Sequence, residues 1–370
     1  MKIITIQSNI REAISTVEKA VAINPNLPIL KNILIKADHD TVYFITTDLR
    51  ISVTARVSGK IIEEGSITIP IALLSGIIAN IKSDRLNLET KENKLDIKTD
   101  NYNATINGAA ADDYPPIPKI KDPEQYIEVK GIFLKDAIAQ TGIAAQESDL
   151  RPELGGILFN FSIESLVLAA TDGFRLAEKT ISAGNFTVKN QKPFKALVPL
   201  DACREIMRNT GDADLVKMYY DDNQMLIKTE RAEILSRLLE GAFPDYTQII
   251  PKKTATDILV SRDEFANGIR LASILGQKTS EIELRIHPDK KAVEIASADQ
   301  ALGENAYLLP AKIQGDAITA VFNWRYLSEV VKVLNTKEIQ IGLQEDAAPA
   351  VIRQAGDSSY FYIVKPILRS

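Results

Sequence analysis

The sequence predicts an α+β fold made of three similar units laid end to end. Three observations carry this: a strand, a stop and an amphipathic helix recur in each third; paired hairpins follow in the same order; and proline-marked joints fall between the thirds. In the first third, Ile67-Thr68-Ile69 is stopped by Pro70 and leads to apolar Ile71, Leu74, Ile77, Ile78 and Ile81. In the second, Ala196-Leu197-Val198 and Pro199 lead to Leu200, Cys203, Ile206 and Met207. In the third, Ala320-Val321-Phe322 passes through Asn323-Trp324 to Leu327, Val330, Val331 and Leu334. Each run places apolar side chains three and four apart, which builds one buried helical stripe.

Each unit also opens on a strand and a helix, at 10–21, 132–145 and 262–275. Ser261 followed by Glu264 reads as a capping box on the last of these, and Asn9 with Glu12 is placed similarly on the first. A hairpin of alternating residues follows each helix: 33–37 with 42–46, 157–161 with 166–170, and 283–286 with 292–296. These turn or continue at Thr47-Asp48, at Thr171-Asp172-Gly173 and near Asp299. A second hairpin closes each unit, at 86–88 with 95–97, 216–220 with 225–229, and 339–343 with 350–353. Tyr114-Pro115-Pro116-Ile117-Pro118 and the stretch from Phe243-Pro244-Asp245-Tyr246 to Pro251 form the joints, because proline stiffens a connection and ends a ladder. The period is roughly 125 residues, far longer than a solenoid repeat. The expected domains are 1–121, 126–251 and 256–370, each with two helices and about eight short strands packed as antiparallel sheets.

Composition narrows the class. The 370 residues carry 44 Lys+Arg against 49 Asp+Glu, a net charge of −5, with 45% hydrophobic and 25% charged residues. That is the make-up of an ordinary globular chain and excludes disorder or collagen-like structure. No apolar run approaches the ~20 residues of a membrane helix. The alternating Met1-Lys2-Ile3-Ile4-Thr5-Ile6 reads as a strand rather than a signal peptide, and the single cysteine, Cys203, cannot form an internal disulfide. A cytoplasmic location is expected. The acidic balance argues against a tight electrostatic grip on nucleic acid.

No catalytic constellation emerges. His39 and His287 lie in different thirds in turn-like contexts, and Cys203 sits on an apolar stripe. Phosphate-cradling loops, zinc spacings and a nucleophile elbow are missing from the sequence. Asp112-Asp113, Asp212/Asp214 and Asp221-Asp222 occupy loops, where aspartate serves local backbone hydrogen bonds. No catalytic residue, metal or cofactor is therefore expected.

Two features ask for more than structure. Asp172-Gly173 suits a hairpin turn, yet Phe174-Arg175 at its exit is not explained by the turn. The C-terminus stays apolar almost to its end: a strand is expected over 360–364, and Pro366-Ile367-Leu368 remain for the wall of a groove. Arg11, Lys19, Lys82, Lys135, Arg204, Arg208, Arg262, Arg270, Arg325 and Lys332 fall on the expected helices, sharing them with acids as on a solvated face.

The repeated unit resembles the bacterial DNA polymerase III β sliding clamps over the whole chain. Leu27-Pro28-Ile29-Leu30, Thr47-Asp48-Leu49, Thr171-Asp172-Gly173-Phe174-Arg175-Leu176-Ala177 and Phe243-Pro244-Asp245-Tyr246 carry that resemblance. It implies three DNA-clamp domains forming half of a closed ring, a head-to-tail homodimer with helices lining the hole and duplex DNA passing through without sequence preference. A ring held by topology needs only diffuse phosphate attraction, which suits an acidic protein with scattered basic residues. The implied partners are the polymerase III α subunit, the clamp loader, and other polymerases and repair proteins, all docking through short peptides.

The resemblance places the peptide pocket at Leu154, Thr171, Gly173, Phe174, Arg175 and Leu176, with Pro244 and Ile249, and with Ile363, Val364, Pro366 and Ile367. Arg175 and backbone groups would orient the peptide. It implies a DNA contact at Arg151, and a subunit contact of Leu271, Ile274 and Leu275 against the edge strand near Ile106. Phe265, Ile269 and Ala272 already supply the core stripe of that helix, which leaves Leu271 and Ile274 as apolar surplus. The chain departs from the family pattern at Phe174, Gln248, Asn24, Pro152-Glu153 and the tail Lys365-Pro366-Ile367-Leu368-Arg369-Ser370. Rival readings are a Mg²⁺-dependent hydrolase using Asp112/Asp113 or Asp212/Asp214, and a repeat scaffold that binds no DNA.

Overall fold

The computed structural model describes residues 1–22, 26–148, 150–251, 253–344 and 348–368. Asn24, Arg369 and Ser370 lie outside the described residues. The alternating segments pair into three sheets, and every pairing between named strands is antiparallel. Among the described residues the thirds carry nine, nine and eight strands. The last third has one fewer because Gly303–Gly315 serves two neighbours, pairing first with Ala292–Asp299 and then with Thr256–Ser261.

Six α-helices accompany them among the described residues: α1 (Gln7–Val17), α2 (Ile71–Asn80), α3 (Gly131–Gly142), α4 (Leu200–Arg208), α5 (Arg262–Ser273) and α6 (Trp324–Val333). Their stripes are buried as the spacing requires: Ile10, Ile14 and Val17 on α1, Leu74 and Ile78 on α2, Cys203 and Ile206 on α4, and Leu327, Val330 and Val331 on α6. At α5 the fit is close: a Cβ added at Gly268 would stand 2.6 Å from Ile295 Cδ1. A larger residue there would have to move the Ile295 and Tyr307 side chains aside.

The chain forms two compact units. The first comprises Met1–Lys135, Gly184–Lys192 and Asp201–Leu238, and the remainder forms the second. The first holds a five-stranded sheet in the order Gly59–Glu63, Lys2–Ile6, Arg85–Lys91, Lys94–Lys98, Asn103–Asn107. It also holds a nine-stranded sheet, ordered Phe186–Lys189, Tyr126–Lys130, Leu215–Asp221, Gln224–Lys228, Ala232–Arg237, Ile51–Val57, Thr41–Thr47, Asn32–Asp38, Gly65–Pro70. Within it α1 packs on α2. In the second unit a twelve-stranded sheet begins Phe194–Pro199, Gly156–Phe161, Ser165–Thr171, Arg175–Ser182, Asp357–Val364, Ala350–Gln354. It continues Glu338–Leu343, Thr256–Ser261, Gly303–Gly315, Ala292–Asp299, Glu281–His287, Thr319–Asn323, and α5 packs on α6. The sheets therefore run across the sequence joints. Ala232–Arg237 of the middle third pairs with Ile51–Val57 of the first, and Arg175–Ser182 pairs with Asp357–Val364 of the last.

Some local expectations need correction. α1 begins at Gln7, whose N–H donates to the Asp84 carbonyl at 2.8 Å, so Asn9 lies inside the helix and caps nothing. Ser261 does accept the Glu264 N–H at 3.4 Å, but the Glu264 carboxylate receives the Tyr307 hydroxyl instead of closing the box. Lys82 falls beyond α2, and Lys19 sits on a 3₁₀ turn, Glu18–Ala20. Asn323 caps α6 as its position suggests, accepting the Arg325 N–H at 3.0 Å.

Candidate functional site

The turn between Ser165–Thr171 and Arg175–Ser182 is built around the buried carboxylate of Asp172. Its Oδ1 accepts the N–H groups of Phe174 and Arg175 at 2.8 and 2.9 Å, and its Oδ2 accepts Arg175 Nε at 2.9 Å. The Thr171 hydroxyl donates to the Arg175 carbonyl at 2.6 Å and accepts the Gly173 N–H at 3.1 Å. Gly173 stands at φ +89°, a left-handed conformation in which glycine alone is unstrained. With the backbone satisfied locally, the Phe174 ring stays 62% exposed at the turn exit.

The Phe243-Pro244-Asp245-Tyr246 segment is pinned against the same sheet by two aromatic rings. Phe243 packs on Leu158, Ala169 and Leu197, and Tyr246 touches both that cluster and the one formed by Leu176, Val351 and Ile363. The rings meet edge to face, with centroids 5.8 Å apart. The Tyr246 hydroxyl donates to Glu178 Oε2 at 2.6 Å. Burial raises the Glu178 carboxyl above its usual range, against the opposing pull of that hydrogen bond. Burial, and then the Glu178 bond, push the Tyr246 hydroxyl upward, so it stays a donor.

Between turn and linker lies a cavity of about 280 Å³. Nine of the twelve side chains expected for the pocket line it: Leu154, Thr171, Gly173, Phe174, Arg175, Leu176, Pro244, Ile249 and Ile363. Leu154 arrives on a short 3₁₀ turn, Pro152–Leu154, and Ile249 stands 42% exposed at the rim. Val364, Pro366 and Ile367 do not belong to the lining. Val364 follows Ile363 on a strand, so it faces the opposite side and is fully buried. The tail beyond it runs along Thr319–Asn323, where the Ile367 N–H donates to the Val321 carbonyl at 2.7 Å. Lys365, Pro349, Asp245 and Tyr246 complete the wall. Of these, Asp245 and Tyr246 were legible as part of their motif and Lys365 as part of the tail, whereas Pro349 carried no sequence signal.

Arg175 lines the cavity, yet its guanidinium is engaged within the protein. It pairs with Asp172 and Glu329, stacks 4.3 Å over the Tyr326 ring, and is only 10% exposed. Both Glu329 and Tyr326 belong to α6, so Arg175 ties the turn to that helix.

Other expected residues are dispersed. Arg151 shares the cavity wall and pairs with Glu153 at 3.1 Å. The Ile106 side chain is 4% exposed, pointing into its own layer, and what Asn103–Asn107 offers outward is an unpaired backbone edge. Leu271 and Ile274 are 40% and 59% exposed, and Leu275 is half-buried. Many helix-borne cations are paired: Lys135 with Asp212, Arg204 with Asp201, Arg208 with Glu205 and Arg262 with Asp263. Among the described residues no ion pair is recorded for Arg11, Lys82, Arg270 or Lys332.

Of the groups weighed for catalysis, Asp214 and Cys203 are held within the fold. Asp214 accepts the Gly211 N–H at 2.8 Å, and burial of Cys203 pushes its thiol up. His39 is an exposed turn residue, as its context suggested. His287 instead ends the strand Glu281–His287 and pairs with Glu294 at 3.0 Å.

Three family models match in succession: the DNA polymerase III beta subunit N-terminal domain over residues 1–118, its central domain over 128–245, and its C-terminal domain over 247–368. The chain belongs to the DNA polymerase III beta subunit family. It is similar to the beta sliding clamp of Synechococcus elongatus, at 29% identity with all of both chains covered. The Bacillus subtilis beta sliding clamp is 27% identical over 99% of each chain. A crystal structure of a Bacillus subtilis DNA polymerase sliding clamp matches with a TM-score of 0.95 at 26% identity, again over both whole chains. The three matched regions are thus clamp domains of mixed α and β structure, and the protein is a processivity clamp of DNA replication, an accessory subunit of polymerase III that is not an enzyme. The hydrolase and scaffold readings are not favoured.

Proposed function

We propose that two copies close head to tail into a ring around duplex DNA and that the cavity beside Phe174 docks the peptides of replication and repair partners. The cavity is the observation that carries the docking role: apolar walls, a backbone turn whose own hydrogen bonds are satisfied, and a rim of Phe174 and Ile249. Such a site takes apolar side chains of an extended segment while its backbone stays fixed. Polymerase III α subunit, clamp loader, other polymerases and repair proteins are the partners this reading names. Arg175 holds the site in shape from behind.

Two free edges support ring closure. Among the described residues, Asn103–Asn107 has a strand neighbour on one side only, and residues 303–310 pair only with Ala292–Asp299. Beside the second edge stand exposed Leu271, Ile274, Leu302 and Leu308. Docking one edge on the other would satisfy both and bury that apolar surface. On this reading Ile106 contributes through the backbone of its strand and Leu275 supports Ile274 from beneath. Arg151 meets phosphate by exchanging Glu153, which costs little because solvent-screened pairs are weak. The domains are taken as 1–121, 126–251 and 256–370, each with two helices on its sheets, and the site of action as the bacterial cytoplasm. No helix of the described chain is long and apolar enough to cross a membrane.

Primer extension on a circular single-stranded template, with the polymerase and loader of the same organism, tests this reading. Adding the chain should lengthen products at limiting polymerase, and unchanged product length would contradict it.

A further inference from the structure

The first clamp domain repeats the framework of the cavity. The Thr47 hydroxyl donates to the Ile51 carbonyl at 2.8 Å and accepts the Leu49 N–H at 3.0 Å. Asp48 Oδ1 accepts the N–H groups of Arg50 and Ile51 at 2.8 and 2.7 Å. This is the Thr171-Asp172 pattern, bond for bond. The flanking strand repeats as well: the Arg237 N–H reaches the Arg50 carbonyl at 2.9 Å, as the Lys365 N–H reaches Phe174 at 2.9 Å. Leu30, buried on a 3₁₀ turn, takes the part of Leu154, and Asp113-Tyr114 takes that of Asp245-Tyr246. In the third domain only the aspartate survives. Asp299 accepts the Ala301 and Leu302 N–H groups, but Ala298 offers no hydroxyl.

The two turns differ at four successive residues, Leu49-Arg50-Ile51-Ser52 in the first domain against Gly173-Phe174-Arg175-Leu176 in the second, and the first of these sets the space above the turn. A Cβ added at Gly173 would meet nothing within 4 Å, so the space above that turn is open. In the first domain the same point carries Leu49, at φ +76° and 41% exposed. Leucine is disfavoured at that angle and persists only where its surroundings hold it. The matching tyrosine is also better covered: Tyr114 is 5% exposed, whereas Tyr246 is half-buried.

We infer that Leu49 closes a second copy of the docking cavity in the first domain, and that Leu49 against Gly173 limits the chain to one peptide site. This rests on the docking role proposed above for the open cavity. The partner class is the same: a short extended peptide with alternating apolar side chains.

The full-length chain can be titrated with fluorescein-labelled Ala-Leu-Ala-Leu-Phe amide, following anisotropy. Wild type should bind one peptide per chain, and Leu49→Gly should bind two. Gly173→Leu should lose at least tenfold in affinity, and the double variant should bind one peptide again. A folded Leu49→Gly chain that still binds one peptide would overturn the inference, with folding checked by a thermal midpoint at or above wild type. Should that variant fail to fold, unchanged affinity in Gly173→Leu would overturn it independently. Absence of wild-type binding would remove the docking role and this inference together, whereas wild-type binding with no gain in Leu49→Gly removes only the inference.

Discussion

Replacing Asp172 by asparagine and Asp48 by asparagine makes the same chemical change in two turns with the same hydrogen bonds, and should have very different costs. In both variants the remaining amide oxygen can go on accepting the two backbone N–H groups. At Asp172 the new amide nitrogen faces Arg175 Nε, donor against donor, where Oδ2 accepted at 2.9 Å. The Asp172 and Arg175 side chains are only 1% and 10% exposed, so the guanidinium is left buried with Glu329 and the Tyr326 ring. Breaking a buried pair from one side costs about 3–5 kcal/mol, and the surviving partners argue for the lower end, about 3 kcal/mol. At Asp48 the partner Arg50 is 66% exposed, and water replaces the lost contact for about 0–1 kcal/mol. Equilibrium urea unfolding measures both. Fluorescence of Trp324, the single tryptophan and the first residue of α6, reports the unit that holds Asp172, and circular dichroism reports the rest. A cost below about 1 kcal/mol for Asp172→Asn, or equal costs for the two variants, would refute the reasoning.

Three further outcomes follow from individual groups. Burial raises the folded Glu178 carboxyl above its unfolded value, so in that window the folded state holds the extra proton and stability falls as pH rises through it. Glu178→Gln removes this slope, so its stability relative to wild type should rise as pH increases through and above the ordinary carboxylate range, and a constant difference contradicts it. Cys203 should resist Ellman's reagent in the native protein and react fully in urea, because burial both hides the thiol and pushes its pKa up. Leu271→Asp with Ile274→Asp should weaken self-association by roughly 30-fold or more, read by sedimentation as a shift toward the 40.8 kDa single chain.

The secondary structure was largely legible because it rests on local chemistry. Hairpins at 33–46, 157–170 and 283–296 follow from alternation, and the helical stripes from three- and four-residue spacing. The Asp172-Gly173 turn was readable for the same reason. The role of Arg175 was not, because its partners Tyr326 and Glu329 stand on a helix of the last third and no local rule connects them. Register hid other details. A one-residue step puts Val364 on the face opposite Ile363, and Ile106 faces its own core even though its strand is an edge. The helix start at Gln7 escaped capping logic because a backbone carbonyl, Asp84, takes the place of a capping side chain. Nine residues that the motifs singled out line one cavity, whereas alternation sends Val364 to the opposite face and the tail carries Ile367 toward Val321.

Retention on DNA tests ring closure most directly. The chain is loaded onto nicked circular DNA, half of the sample is linearised, and both halves are passed through gel filtration at moderate salt. A topologically linked ring stays with the circle and runs off the linear form, since a diffuse phosphate attraction alone does not hold it there. Equal retention on both forms would mean a direct grip on DNA and would contradict the ring.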